Sequence, residues 1–285
     1  MFAARRLPVA LRADASRLAC GSPDRDLVLW DTSAPNGPTR TSRIRHGGGI
    51  VAAAWNPAAV ALLATISADG SVATWRILDD RPPQTIVAIP QPRDRPHHLA
   101  WLSGGKHLVS TTMSGRSRVW DADGNQLAVR GRTIGGLVLA THAWDGAVVV
   151  VSHLGHVDVW DPATQLTGAQ FLPGRVVATA HSRALLALSY DDGQIALLDR
   201  DLDQIGVIEP GAPAVGLALS EDSRALVVAS ADGSIAAIDP RRKVLWRRRV
   251  AEKAPAGLAA ASGTVAVIDD DGGVTLLTLD QGSPI

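Results

Sequence analysis

The sequence is short of most residue types that carry reaction chemistry. It holds one cysteine, Cys20, among 285 residues. A single thiol excludes an internal disulfide framework. Two phenylalanines and one tyrosine leave tryptophan, with eight copies, as the main aromatic. An excess of charge is also missing, since 28 Lys+Arg balance 28 Asp+Glu. No global field therefore draws in nucleic acid or an anionic membrane. No run reaches the roughly 18 uncharged apolar residues of a membrane helix. Near the N-terminus Arg12, Asp14 and Arg17 interrupt the apolar stretch that an export signal needs, so a cytoplasmic chain is expected. No stretch keeps a 3.6-residue apolar period over three turns, which argues against helices. There is no G-x-S-x-G elbow, no phosphate loop and no zinc-ligand series. Only Lys106, Lys243 and Lys253 are lysines; the other basic residues are arginines, a usage that fits a GC-rich bacterial genome.

What is present is a repeat. SADGSVATW at 67–75 returns as SADGSIAAI at 230–238. Seven apolar runs that follow turn signals end at Trp30, Trp75, Trp120, Trp160, Leu198, Ile238 and Leu277. The steps between these endpoints are 45, 45, 40, 38, 40 and 39 residues. That is close to the 40–45 residues of a four-stranded propeller blade. Five residues before the endpoint stands a glycine in every unit but the first, and Asp precedes it at Asp69, Asp192, Asp232 and Asp271. Asp-Gly supplies the positive φ angles of a tight hairpin turn. With Asp24, these aspartates read as buttresses of turns rather than as a ring of catalytic carboxylates. Two further apolar runs stand upstream of each turn and a weaker edge strand follows. The expected fold is all-β, a single seven-bladed propeller domain over 1–285 with four antiparallel strands per blade.

Four endpoints are tryptophan, and three read Trp-Asp: Trp30-Asp31, Trp120-Asp121 and Trp160-Asp161. Across the whole chain this resembles the WD-repeat family of β-propellers. That family's inter-strand hydrogen-bond set maps best onto the second unit, as His46, Ser67 or Thr65, Asp69 and Trp75. The set decays elsewhere: Ser114 and Leu154 stand at the Asp position of the third and fourth units. The sixth unit, 235–250, is also similar to quinoprotein-type propeller repeats. Only residues 281–285 follow the last unit, so residues 1–8 are expected to complete its outer strand and close the ring.

The resemblance implies a non-catalytic scaffold for protein–protein interaction, acting alone or within a larger signalling or NTPase assembly. Other proteins are the expected partners, with no cofactor, no metal and a monomeric ring. Candidate partner-binding residues are loop arginines on one face: Arg25, Arg45, Arg116, Arg130, Arg132 and Arg175. A second candidate is the basic stretch Arg241, Arg242, Lys243, Arg247 and Arg249 around Trp246, weighed against simple edge protection of an outer strand. Two alternatives stay open. One is a hydrolase or lyase with its site in the central channel. The other is a phosphate or nucleic-acid binder using 241–249. His153 with His156, and His97 with His98, read as polar turn and strand residues rather than metal ligands. Cys20 reads as a small buried hydrophobe. Trp144, followed by Asp145-Gly146, reads as a turn residue between two strands.

Overall fold

The computed structural model describes residues 7–285 apart from 23, 79–80, 91–94, 103, 132–134, 145, 166 and 242. Among the described residues there are seven antiparallel sheets, six of four strands and one of three, and no helix. Each sheet is a meander in which consecutive strands pair. Blade two shows the pattern with Ile50–Trp55, Leu62–Ser67, Ser71–Arg76 and Gln84–Pro90, in order from the centre outward. Its second and third strands pair up to Ile66↔Val72, and Gly70 closes the turn at a φ of 91°. That left-handed conformation favours glycine, which is why this hairpin needs one.

Burial follows position within the blade. The second strands are sandwiched between neighbouring blades, and Leu108–Thr112, Leu186–Tyr190 and Leu226–Ser230 are buried at every residue. Such strands have no solvent face, so even the polar residues they carry, such as Ser110 and Thr111, are buried. The outer strands Thr167–Phe171 and Lys243–Arg249 are exposed along most of their length and carry the polar residues.

The core is not one mass but seven clusters, one in each interface between blades. Between blades five and six, Leu197 and Ile208 meet Leu226, Val228 and Ala236. At the seam of the ring, Leu18, Cys20 and Val28 of blade one meet Ala266, Ile268 and Leu276 of blade seven. Leu7 fills the same cluster and its N–H donates to Ala256 O at 3.0 Å. The Gly21 N–H donates to Pro8 O at 2.8 Å, tying the incoming chain to blade one. Residues 1–6 of the segment expected to complete the last blade lie outside the described residues. C-terminal residues run along the third strand of that blade, Val274–Thr278: Ile285 N–H donates to Leu276 O at 3.1 Å and Thr278 N–H to Ser283 O at 2.8 Å.

Three tryptophans stitch innermost strands to a neighbouring blade. Trp55 Nε1 donates to Ala10 O, Trp101 Nε1 to Ala54 O and Trp144 Nε1 to Arg183 O, each at 3.0 Å. This corrects the reading of Trp144 as a turn residue. It is the last residue of the innermost strand Val138–Trp144 and is buried at 7% exposure. The indole both fills the interface with blade five and caps its main chain, which a turn position could not do.

Candidate interaction surface

The antiparallel order places two sets of loops at one end of the ring: the turns between second and third strands, and the links from one blade to the next. In blade two a hydrogen-bond network braces this end. His46, on the link, shares Nε2 with Thr65 Oγ1 at 2.7 Å and Nδ1 with Ser71 Oγ at 3.1 Å. Trp75 Nε1 donates to Thr65 Oγ1 at 2.8 Å. The Asp69 carboxylate accepts Ser71 N–H at 2.8 Å, Ser71 O–H at 2.6 Å and Gly48 N–H at 3.0 Å. These donors, Ser71 first, hold its pKa down to about 2 against the opposing effect of burial. Thr65, not Ser67, is the strand hydroxyl that serves both rings. Thr65→Val keeps the shape and leaves two ring nitrogens without a partner. Such a change costs about 2 kcal/mol. A lower denaturant midpoint with an unchanged slope is expected; an unaltered midpoint would refute the role.

The same geometry recurs ten residues before other endpoint tryptophans. Trp120 Nε1 donates to Ser110 Oγ at 2.9 Å, and Trp30 Nε1 to Cys20 Sγ at 3.2 Å. Cys20 therefore occupies the position of Thr65, and burial pushes its thiol up to about 11, far from a reactive thiolate. Val150 holds that position in blade four, where Arg130 instead lies 6.0 Å from the Trp160 ring centre and pairs with Asp158 at 3.0 Å. Turn carboxylates act alike in other blades. Asp192 accepts Gln194 N–H and Asp232 accepts Ser234 N–H, both at 2.9 Å. In blade seven the acceptor is Asp269, which takes Gly273 N–H at 2.6 Å and the N–H of Asp271 at 3.1 Å. Asp271 is thus a donor through its main chain within that turn.

The arginines singled out from the sequence are not one patch. Arg25, Arg45, Arg116 and Arg175 are exposed at the turn-and-link end, spread over blades one to five. Arg45 pairs with Asp26 at 3.0 Å, which Arg43 also reaches at 3.2 Å. Arg130 is a half-buried strut between blades three and four. Arg132 and Arg242 lie outside the described residues. The stretch around Trp246 runs along the outer strand of blade six, with Arg241 and Lys243 exposed at its start. Its later guanidiniums reach main chain: Arg247 to Pro210 O, Arg248 to Gly282 O at 2.7 Å and Arg249 to Ala251 O at 3.3 Å. Trp246 Nε1 donates to Leu279 O at 2.7 Å, so this strand anchors the C-terminal residues.

The centre of the ring holds a cavity of about 600 Å³ walled by Ala53, Ala100, Ala143, Trp55, Trp101 and Trp144. At its mouth Arg183 and Glu221 pair at 2.9 Å. Histidines stand on the innermost strands of blades three, four and five, and those of blades four and five, His142 and His181, line the cavity. His142 and His181 rings lie 4.4 Å apart, and His142 Nε2 bonds Thr179 Oγ1 at 2.8 Å. His98 Nε2 is buried without a hydrogen-bond partner among the described residues. Burial lowers His98 and His181 to about 4 and His142 well below the usual imidazole range. Local spacing does not reveal this trio, because only the ring brings the three strands together. Among the described residues no three metal-ligating side chains converge.

Comparison with known proteins adds one similarity. No family model matches the chain. Over 119 residues the chain is 30% identical to the ribosome biogenesis protein WDR12 homolog of Chlamydomonas reinhardtii. That match covers 39% of this chain and 26% of the relative, so the chain spans about a quarter of that protein's length. The repeat chemistry, the seven-bladed ring and this similarity together support the WD-repeat β-propeller family.

Proposed function

We propose that the chain is a non-catalytic protein-interaction scaffold that offers its turn-and-link end to other proteins. The observation that carries this reading is the division of labour among polar residues. Carboxylates and hydroxyls in most blades are engaged in bracing turns, as with Asp69, Asp232 and Asp269. Beside these braced turns stand exposed arginines (Arg25, Arg45, Arg116 and Arg175) and, at blade four, exposed apolar side chains, a makeup that suits a contact surface. The relative's name places it in ribosome biogenesis, and the likeness favours a role in assembly for this chain too. We take the ring to be a monomer that works in the cytoplasm, alone or within a larger protein assembly. Affinity capture from the native host, followed by mass spectrometry, tests the reading. A protein partner recovered in near-equal amount is expected. Recovery of no protein above a matched control propeller would contradict it.

A further inference from the structure

We propose that the turn end of blades three and four binds a short protein segment in which acidic residues flank an apolar side chain. This deepens the scaffold reading and rests on it, by assigning the place and the chemistry of the partner.

The starting point is where the repeat breaks its own rule. The turn carboxylate of the other blades is replaced by Ser114 in blade three and Leu154 in blade four. The loop segments 113–116, 135–137, 153–156 and 172–175 contain no Asp or Glu, but do contain Arg116, Arg175, His153 and His156. Asp191 and Asp192 of blade five bound this sector on one side. Within it three large apolar side chains face solvent: Leu137 at 53%, Leu154 at 45% and Phe171 at 54% exposure. Nothing in the fold explains a solvent-facing leucine where the repeat uses a turn-bracing carboxylate. An exposed apolar group rimmed by polar residues marks an interaction site.

The sector is held in shape. Leu137 N–H donates to His153 Nδ1 at 3.0 Å, and His153 N–H donates to Leu137 O at 3.0 Å. Leu172 N–H donates to Gly155 O at 3.0 Å. The His156 ring stacks on Phe171 at 4.4 Å. The link from blade three lies so close that a Cβ at Gly136 would come within 3.0 Å of Leu154 Cδ1, and one at Gly135 within 2.7 Å of His156 Nε2. Leu154 thus lies against the link that carries Leu137, and His156 carries the contact on to Phe171, so the sector is preorganised, which lowers the ordering cost of binding. Apolar contact in the middle with Arg116 and Arg175 at the rim suits an apolar anchor between carboxylates. A basic segment would meet like charge, and a polar one would leave the apolar side chains exposed.

The test uses the full chain and a displayed library of random 12-residue peptides, selected in parallel on the wild type and on Leu154→Asp. That substitution restores the carboxylate which in blade two accepts Ser71 and Gly48 N–H groups, so the variant is expected to melt no lower than the wild type. Wild-type selection is expected to enrich peptides with Leu, Ile or Phe flanked by Asp or Glu. A synthetic member of that class is expected to bind Leu154→Asp and Arg175→Glu at least tenfold more weakly, and to weaken as salt rises. Enriched peptides without this pattern, equal binding to Leu154→Asp, or no enrichment at all would each overturn the inference. A partner captured from the host by wild type and Leu154→Asp alike would overturn it while leaving the scaffold reading intact.

Discussion

A chain lacking residues 1–8 is expected to lose its single cooperative unfolding transition. A propeller resists opening because every blade has two neighbours, and only the seam lacks a covalent link between them. The seam is closed by the cluster in which Leu7, at 8% exposure, lies among Leu18, Cys20, Ala256, Ile268 and Leu276. Removing it opens a cavity where a buried leucine stood, which alone costs about 2–5 kcal/mol. The hydrogen bonds of Leu7 to Ala256 and of Gly21 to Pro8 are lost with it. The total is comparable to the 5–15 kcal/mol by which domains are stable. A broad, early melting transition with exposed apolar surface is therefore expected, and Leu7→Ala should fall between the truncated chain and the wild type. A truncated chain that melts like the wild type would remove the seam from the account of closure.

Acidification is expected to destabilise the ring well before its carboxylates titrate. Above about pH 6.5 the histidines are neutral in both folded and unfolded chains, so stability is flat. Between 6.5 and 4 the unfolded chain takes up protons that folded His98, His142 and His181 refuse. Stability must then fall as pH falls, and the share due to His98 and His181 levels off once those folded rings also titrate near 4. For His98 and His181 the full shift is worth up to about 3 kcal/mol each, reduced by water in the channel, for a combined loss on the order of 5 kcal/mol. Thr179, bonded to His142, offers no charge to offset a proton, and the nearest ionisable neighbours are other histidines. Asp69 works in a separate window: its lowered pKa contributes stability above about 4 that is lost as pH falls towards 2. Denaturant midpoints at pH 7, 6, 5 and 4.5 read the histidine window, and His181→Asn should make its slope shallower, with the share of His98 and His142 left. A midpoint constant from pH 7 to 4.5 would contradict the burial of these rings.

The fold was legible because its signals are short-range. Asp-Gly turns, endpoint tryptophans and a step near 40 residues all lie within one blade, and the sheets follow them. The indole acceptor was half legible: the second unit offered Ser67 or Thr65, and only the packed blade selects Thr65, with Ser110 and Cys20 at the same place in blades three and one. Trp144 reads correctly as lying between the first two strands but is assigned to the turn, whereas it ends the innermost strand and the second begins at Ala147. Asp271 misled because Asp269 has the reach to accept from the loop that follows. The histidine trio was hidden because its members lie about 40 residues apart and meet only when three blades stand side by side. The contact surface was half visible: Ser114 and Leu154 stood out as departures from the repeat, but the approach of the link 135–137 to Leu154 and His156 depends on the packing of blades three and four.

A ring that works by holding another protein, and not by turning over a molecule in its channel, should leave its host with that protein attached. Native mass spectrometry of the chain isolated gently from its host reads this. A second polypeptide bound at a fixed ratio and released by Leu154→Asp is expected. A chain that instead carries a small molecule or metal ion at one per ring, with no polypeptide bound, would contradict it.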